Sequence, residues 1–231
     1  MSVPEIALAG MHKLTALDYP GLVSAIVFTR GCNFDCPYCH NLRLKGKVPP
    51  LDPRTVLLFL KKRAGLLDGL VVSGGEPTLQ EGLASFCAEV KSLGYRVKLD
   101  TNGSRPEVLG RLLRESLVDY VAMDCKTAPG DYASAFCPEP DIEEKIRASA
   151  GLLRESKVAH EFRTTCVSPF VGSGQLRAMA EMTGRDSPWF VQEARPGRDW
   201  TGDCAPMPPQ AMRELLFLAE GFGTRPRIRN Y

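Results

Sequence analysis

The sequence predicts an α/β fold, a partial and splayed TIM-like (β/α)6 barrel, from three observations. Short β-branched, apolar runs alternate six times with amphipathic helical stretches. Such alternation makes a parallel sheet, closed as a barrel or left open, and six units are too few for the full eight-fold barrel. The unusual motifs also fall just after predicted strands, positions that share the ligand-binding C-terminal face of parallel α/β barrels.

The elements follow in order. Residues 1–20 are weakly patterned. Residues 22–29 (LVSAIVFT) read as a buried strand, and a cysteine-bearing loop follows. Asp52-Pro53 opens a helix, with aspartate as cap and proline at the first helical position. Its apolar face takes Val56, Leu57, Leu60 and Leu66. Residues 69–73 are a second strand running into Gly74-Gly75-Glu76-Pro77, and Thr78 with Glu81 makes a capping box. A third strand ends at Asp100-Thr101-Asn102-Gly103. Ser104 with Glu107 caps the next helix, which carries Val108, Leu109, Leu112 and Leu113. Residues 118–123 form a fourth strand ending at Asp124-Cys125-Lys126. Asp141 with Glu144 caps a helix through Ile142, Ile146 and Leu153. Residues 161–166 and 189–192 are the fifth and sixth strands, 175–182 are helical, and 208–219 form a last helix. With no repeat, low-complexity tract or clear linker, residues 1–231 are expected to be one domain.

Composition sets bounds. The chain is 44% hydrophobic and 24% charged, as an ordinary soluble globular protein is, and long enough to build its own core. A formal charge of +2 gives no electrostatic footprint for nucleic acid. No stretch reaches the length of a membrane span, and the first residues lack a basic region followed by an apolar run. Eight cysteines in such a chain point to metal or catalysis in the reducing cytoplasm rather than to disulfides. Arg225, Arg227 and Arg229 read as a solvated basic tail rather than a docking patch.

The chemistry concentrates in residues 30–41, RGCNFDCPYCHN, where Cys32, Cys36 and Cys39 are spaced C-x3-C-x2-C. Three thiolates in one short loop can close around one metal centre. His40 is adjacent to Cys39, so no fourth ligand follows at zinc-finger spacing, whereas structural zinc takes four protein ligands. Three soft ligands suggest an iron–sulfur cluster with one iron left open to a small molecule. Cys87, Cys125, Cys137, Cys166 and Cys204 show no paired spacing, which predicts a single cluster; Cys87 reads as a small core residue. His12 and His160 are isolated. The glycines of Gly74-Gly75-Glu76-Pro77 either admit a ligand close to the backbone or only form a strand-to-helix turn. Asp100 and Asp124 each put a charge at a strand end, as a cap, an ion pair or a ligand.

The cysteine motif, with Tyr38 as its aromatic, resembles the signature of the radical S-adenosylmethionine (radical SAM) enzymes. Cys39-His40-Asn41, with Asp18-Tyr19-Pro20-Gly21 upstream, resembles the activating proteins of glycyl-radical enzymes, those of anaerobic ribonucleotide reductases above all, over roughly residues 14–196. The resemblance implies one four-iron four-sulfur cluster on Cys32, Cys36 and Cys39, S-adenosylmethionine as cofactor, and a monovalent cation. It implies that Gly74, Gly75 and Glu76 meet the amino group of S-adenosylmethionine, with Glu76 holding the turn or the ligand. It places Asp100, Thr101, Asn102, Asp124 and Lys126 in segments that bind its ribose and carboxylate, with Asp100, Thr101 and Asp124 as cation ligands. Lys126 and Arg163 would offset the ligand's carboxylate. Gln192 stands where the family often has a histidine, and Tyr38 packs on the adenine or shields the cluster. The implied activity is radical generation and removal of a hydrogen atom from a glycine of a partner enzyme, with flavodoxin or ferredoxin as electron donor. It requires no general acid or base, and no catalytic side chain is assigned. The alternatives are a radical SAM enzyme acting on a small molecule or peptide, and a non-catalytic iron–sulfur carrier.

Overall fold

The computed structural model describes residues 5–197 and 200–229. The chain divides into two compact units. The first holds Met1–Cys32, Asn41–Thr101 and Glu107–Val121; the second holds Asn33–His40, Asn102–Pro106 and Ala122–Tyr231.

The first unit is built on β1 (Leu8–Thr15), β2 (Ser24–Thr29), β3 (Gly69–Gly74) and β4 (Arg96–Thr101). β2, β3 and β4 pair in parallel, while β1 runs antiparallel along β2. β1 lies in the stretch that showed no pattern. Leu8 is buried but His12, Lys13 and Leu14 face solvent, so this antiparallel edge strand lacks the clean alternation that would announce it. The parallel strands are apolar on both faces: Ala25 to Val27 and Leu70 to Val72 are all buried. Tyr19, from the Asp18-Tyr19-Pro20-Gly21 segment, packs on Ile26 and Val71.

The helices α1 (Pro53–Lys62), α2 (Leu83–Ser92) and α3 (Pro106–Arg114) follow β2, β3 and β4 in turn. Asp52 caps α1 as expected, accepting from Arg54 N at 2.8 Å. Leu66 lies past the end of α1 and is 66% exposed, a correction to the predicted apolar face. The Thr78–Glu81 capping box does not form. Thr78 sits inside a 3-10 turn, Pro77–Leu79, and α2 starts only after Gly82, which has no side-chain cap.

β5 (Tyr120–Asp124) starts in the first unit, where Asp119 N donates to Val97 O at 2.8 Å beside β4. Its end lies in the second unit beside β6 (Ala159–Ser168), where Cys125 N donates to Arg163 O at 2.7 Å. The second unit continues with α4 (Tyr132–Ala135), α5 (Ile142–Glu155), α6 (Ser173–Thr183), β7 (Trp189–Glu193), β8 (Ala205–Pro206), α7 (Pro209–Gly221) and β9 (Arg227–Arg229). β6, β7 and β9 are parallel, and β8 pairs antiparallel with β6. The six predicted strands are thus β2 to β7. Asp141 precedes α5 but does not cap it through its side chain, which pairs with Lys145 at 3.0 Å. Ser104 likewise turns its hydroxyl to Asn33.

The arginine-rich C-terminus is not simply a solvated tail. Arg225 and Arg227 are exposed, but Arg229 makes two 2.6 Å bonds to Glu161, which has no solvent exposure. Its guanidinium lies 4.0 Å from the centre of the Phe190 ring. No described helix is long and apolar enough to cross a membrane.

Candidate active site

The cysteine loop leaves the end of β2. In the first unit its root is held chiefly by backbone hydrogen bonds. Arg30 N donates to Ala7 O and Gly31 N to Leu44 O, both at 2.9 Å. The end of β3 presses against it: Gly75 N donates to Thr29 O at 3.0 Å and Glu76 N to Gly31 O at 2.8 Å. This contact explains the glycine pair. A Cβ on Gly75 would lie 1.9 Å from Gly31 O, and Gly74 combines φ +122 with a Cβ position 2.3 Å from Thr29 N. Gln80 adds a clamp, donating to Arg30 O at 2.8 Å and accepting from Ala7 N at 3.0 Å.

Glu76 is buried, and its Oε1 accepts from Thr78 N at 3.0 Å, Thr78 Oγ1 at 2.5 Å and Thr101 Oγ1 at 2.7 Å. That oxygen holds the turn. Thr101 is therefore joined to Glu76, whereas Asp100 is joined to Lys98, two residues back on the same face of β4. Lys98 is only 1% exposed, and its ammonium lies 5.9 Å from the Tyr120 ring centre.

The rest of the loop belongs to the second unit. Cys39 N donates to Cys36 O at 3.1 Å, Asp35 N to Phe136 O at 2.8 Å and Thr201 N to Pro37 O at 2.8 Å. Asn33 and Asn102 bond through their amides at 3.1 Å, and Asn102 accepts from Ser104 N at 2.9 Å, so Asn102 ties down the loop from the end of β4. Tyr38 is buried among Phe170 at 5.5 Å, Phe136 at 5.9 Å and Trp200 at 6.3 Å between ring centres. Burial pushes its phenol well above the ordinary range. Among the described residues, Tyr38 Oη and Trp200 Nε1 are buried with no hydrogen-bond partner.

In the second unit, Asp124 at the end of β5 and Lys126 just after it meet Arg163 from the middle of β6. Asp124 Oδ1 accepts from Arg163 Nε at 3.1 Å, with Arg163 Nη2 at 3.0 Å, and Oδ2 accepts from Lys126 Nζ at 3.0 Å. Burial alone would raise the Asp124 carboxyl, but the two bases outweigh it and hold the group down at about 2. Burial works against the Lys126 ammonium too, and the Asp124 carboxylate overrides it, raising Lys126 well above its ordinary range. Gln192 Nε2 donates to Thr165 Oγ1 at 2.9 Å.

Cys32, Cys36 and Cys39 are half-buried thiols, while Cys87, Cys125, Cys137 and Cys166 are buried thiols. Burial pushes Cys87, Cys125 and Cys166 up to about 12, which suits packed thiols rather than ligands. Among the described residues no three His, Cys, Asp or Glu side chains surround a single metal ion. A cluster makes a different demand, since each thiolate holds a different iron rather than all sharing one ion. Three accessible soft donors in one backbone-braced loop meet that demand.

The radical SAM superfamily matches residues 26–181 of this chain. The chain belongs to that superfamily. A protein of Methanocaldococcus jannaschii, MJ1227, assigned as a glycyl-radical enzyme activating enzyme, is 32% identical over 92% of this chain and 90% of its own length. A second such protein of that organism, MJ1632, is 33% identical over 54% of this chain and 43% of itself. In fold, the chain is like a radical SAM methyltransferase from Sphaerobacter thermophilus, with a TM-score of 0.70 over 94% of this chain and 68% of that one at 17% identity. It is also like QueE from Escherichia coli, with a TM-score of 0.59 over 98% and 94% at 12% identity. This is therefore a radical SAM enzyme with the partial α/β barrel of its relatives, homologous to glycyl-radical activating enzymes. Membership implies a four-iron four-sulfur cluster and S-adenosylmethionine, and the carrier reading falls.

Several residues around this radical SAM site were not singled out from the sequence: Lys98, Gln80, Phe136, Phe170 and Trp200. Lys98 carried a signal, because a lysine inside the apolar run Val97-Lys98-Leu99, two residues before an aspartate, asks for a partner. The others carried none, since their meeting with the loop depends on segments distant in sequence.

Proposed function

We propose that this radical SAM enzyme activates a glycyl-radical enzyme, and that the partner is an anaerobic ribonucleotide reductase. The observation that carries the reading is the C-x3-C-x2-C loop in a chain that matches an assigned activating enzyme along 92% of its length. Cys32, Cys36 and Cys39 hold the cluster. Bound there, the cluster would supply one-electron reductive cleavage of S-adenosylmethionine, with flavodoxin or ferredoxin as electron donor, for removal of a hydrogen atom from a glycine Cα of the partner.

The protein's part is position and a dry cavity. Gly74 and Gly75 bring β3 backbone against the root of the cysteine loop and receive the amino group. Tyr38 and its aromatic neighbours keep water from the cluster. Asp100, Thr101 and Asn102 order the ribose side. Asp124, Lys126 and Arg163 carry one carboxylate against two bases, leaving one positive charge for the methionine carboxylate. Residues 1–231 serve this one activity, in the cytoplasm.

The test is electron paramagnetic resonance on the reconstituted protein mixed anaerobically with the reductase, S-adenosylmethionine and a reductant. A glycyl-radical doublet that disappears when the reductase glycine becomes alanine is expected. Cofactor cleavage without a radical on any glycyl-radical enzyme would overturn the reading in favour of a small-molecule or peptide substrate.

A further inference from the structure

Resting on the radical SAM reading, we infer that this chain neutralises Asp100 and Asp124 with its own side chains, so that S-adenosylmethionine binds without an alkali metal ion. Lys98 is then the positioning residue that stands where such an ion would sit at Asp100.

Three observations carry this. The Lys98 side chain is 2% exposed and pairs with an Asp100 side chain that is 12% exposed. A buried ammonium and a buried carboxylate each need the other, because either one alone would be an uncompensated charge. A second cation drawn to Asp100 would meet the Lys98 charge at close range. Thr101, the neighbouring candidate ligand, leaves β4 on the opposite face and gives its hydroxyl to Glu76. Its side chain and that of Asp100 do not present a joint oxygen site. At Asp124 both carboxylate oxygens already accept from bases, Oδ1 from Arg163 and Oδ2 from Lys126. Hard cations bind through oxygen ligands, and here Asp100 Oδ1 faces the Lys98 ammonium, both Asp124 oxygens accept from bases, and the Thr101 hydroxyl is turned to the Glu76 carboxylate. The monovalent cation implied by the family resemblance therefore does not fit these residues.

The device has a consequence for regulation by salt. An enzyme with a bound alkali ion gains and loses cofactor affinity with the supply of that ion. One with an internal lysine does not, and its charge is fixed by the fold.

The experiment measures S-adenosylmethionine binding to anaerobically reconstituted protein by equilibrium dialysis, with tetramethylammonium, sodium or potassium as the sole monovalent cation. The expected result is a Kd that agrees across the three within about two-fold, since no ion-mediated contact is lost. Radioactive rubidium should show no stoichiometric uptake, with or without S-adenosylmethionine. Lys98→Met should bind the cofactor about ten-fold more weakly in tetramethylammonium, the loss of one charge-assisted contact, and potassium should restore it. Lys98→Arg should stay independent of the ion. The inference is overturned if unmodified protein loses affinity ten-fold when sodium and potassium are withdrawn, or binds rubidium one to one. These measurements on the unmodified chain decide the matter even if Lys98→Met fails to fold. Absence of cofactor binding in every buffer would instead overturn the radical SAM site reading on which the inference rests.

Discussion

Adding one methyl group tests how the first cysteine is held. Gly75 does not need a left-handed backbone; it needs the absence of a Cβ, which would lie 1.9 Å from Gly31 O. Because the opposing atom is backbone, no side-chain rotation relieves the clash, and Gly31 is joined directly to Cys32. Gly75→Ala should destabilise the protein by about 1–3 kcal/mol, the usual cost of overpacking, and reduce iron per chain on reconstitution. Gly151, inside α5, meets nothing within 4 Å, so Gly151→Ala should leave iron loading intact and stabilise by about 0.5–1 kcal/mol. Urea unfolding and iron assays measure both, and equal iron loading in Gly75→Ala and the unmodified chain would refute the account. From the sequence, this glycine pair was expected either to admit a ligand close to the backbone or only to form a strand-to-helix turn. The group that comes close is the end of the neighbouring strand, in a segment more than forty residues earlier by the numbering.

At the scale of elements, the central parallel strands were legible because each carries a short run rich in apolar and β-branched residues between helical stretches. The strands β1 and β9 were not, and for one reason: an edge strand shows solvent one side and mixes charge with apolar residues. Arg227-Ile228-Arg229 reads as a basic tail until Glu161 is seen to be its anchor, 68 residues away from Arg229 and wholly buried. The capping boxes at Thr78, Ser104 and Asp141 were misplaced for a related reason. Each polar side chain had a better partner outside the local pattern: Glu76, Asn33 and Lys145 respectively. The ion pair gives β9 a measurable energetic role. Arg229→Ala should cost about 3–5 kcal/mol, mostly because the Glu161 carboxylate is left uncompensated in the core. The double change Glu161→Leu with Arg229→Met should recover much of that loss, since it removes both charges together. Thermal and urea unfolding of the three variants supply the test, and a loss below about 1 kcal/mol for Arg229→Ala would show that the pair does not anchor the strand.

Across the whole molecule, the eight cysteines separate into chemical classes. Spacing alone picked out Cys32, Cys36 and Cys39, because a cluster loop is a local object and its ligands stay close in sequence. The strand-end residues were legible through the alternation of strands and helices, but their pairings were not, since Lys98–Asp100, Arg163–Asp124 and Gln192–Thr165 depend on side-chain direction and strand neighbours. Thiol reactivity makes the cysteine classes visible in one experiment. Alkylation requires thiolate and access. In protein stripped of iron, iodoacetamide should label the half-buried Cys32, Cys36, Cys39 and Cys204. Cys87, Cys125 and Cys166, pushed up to about 12 by burial, and the buried Cys137 should react only after unfolding. Once iron and sulfide are restored under anaerobic conditions, labelling of Cys32, Cys36 and Cys39 should stop, because bound thiolates are no longer free nucleophiles, while Cys204 should continue to react. Peptide mass spectrometry reads each site separately. If any of the three loop cysteines still reacts at full iron occupancy, or if Cys204 becomes protected in its place, the ligand set is wrong and the cluster must be sought on a different trio.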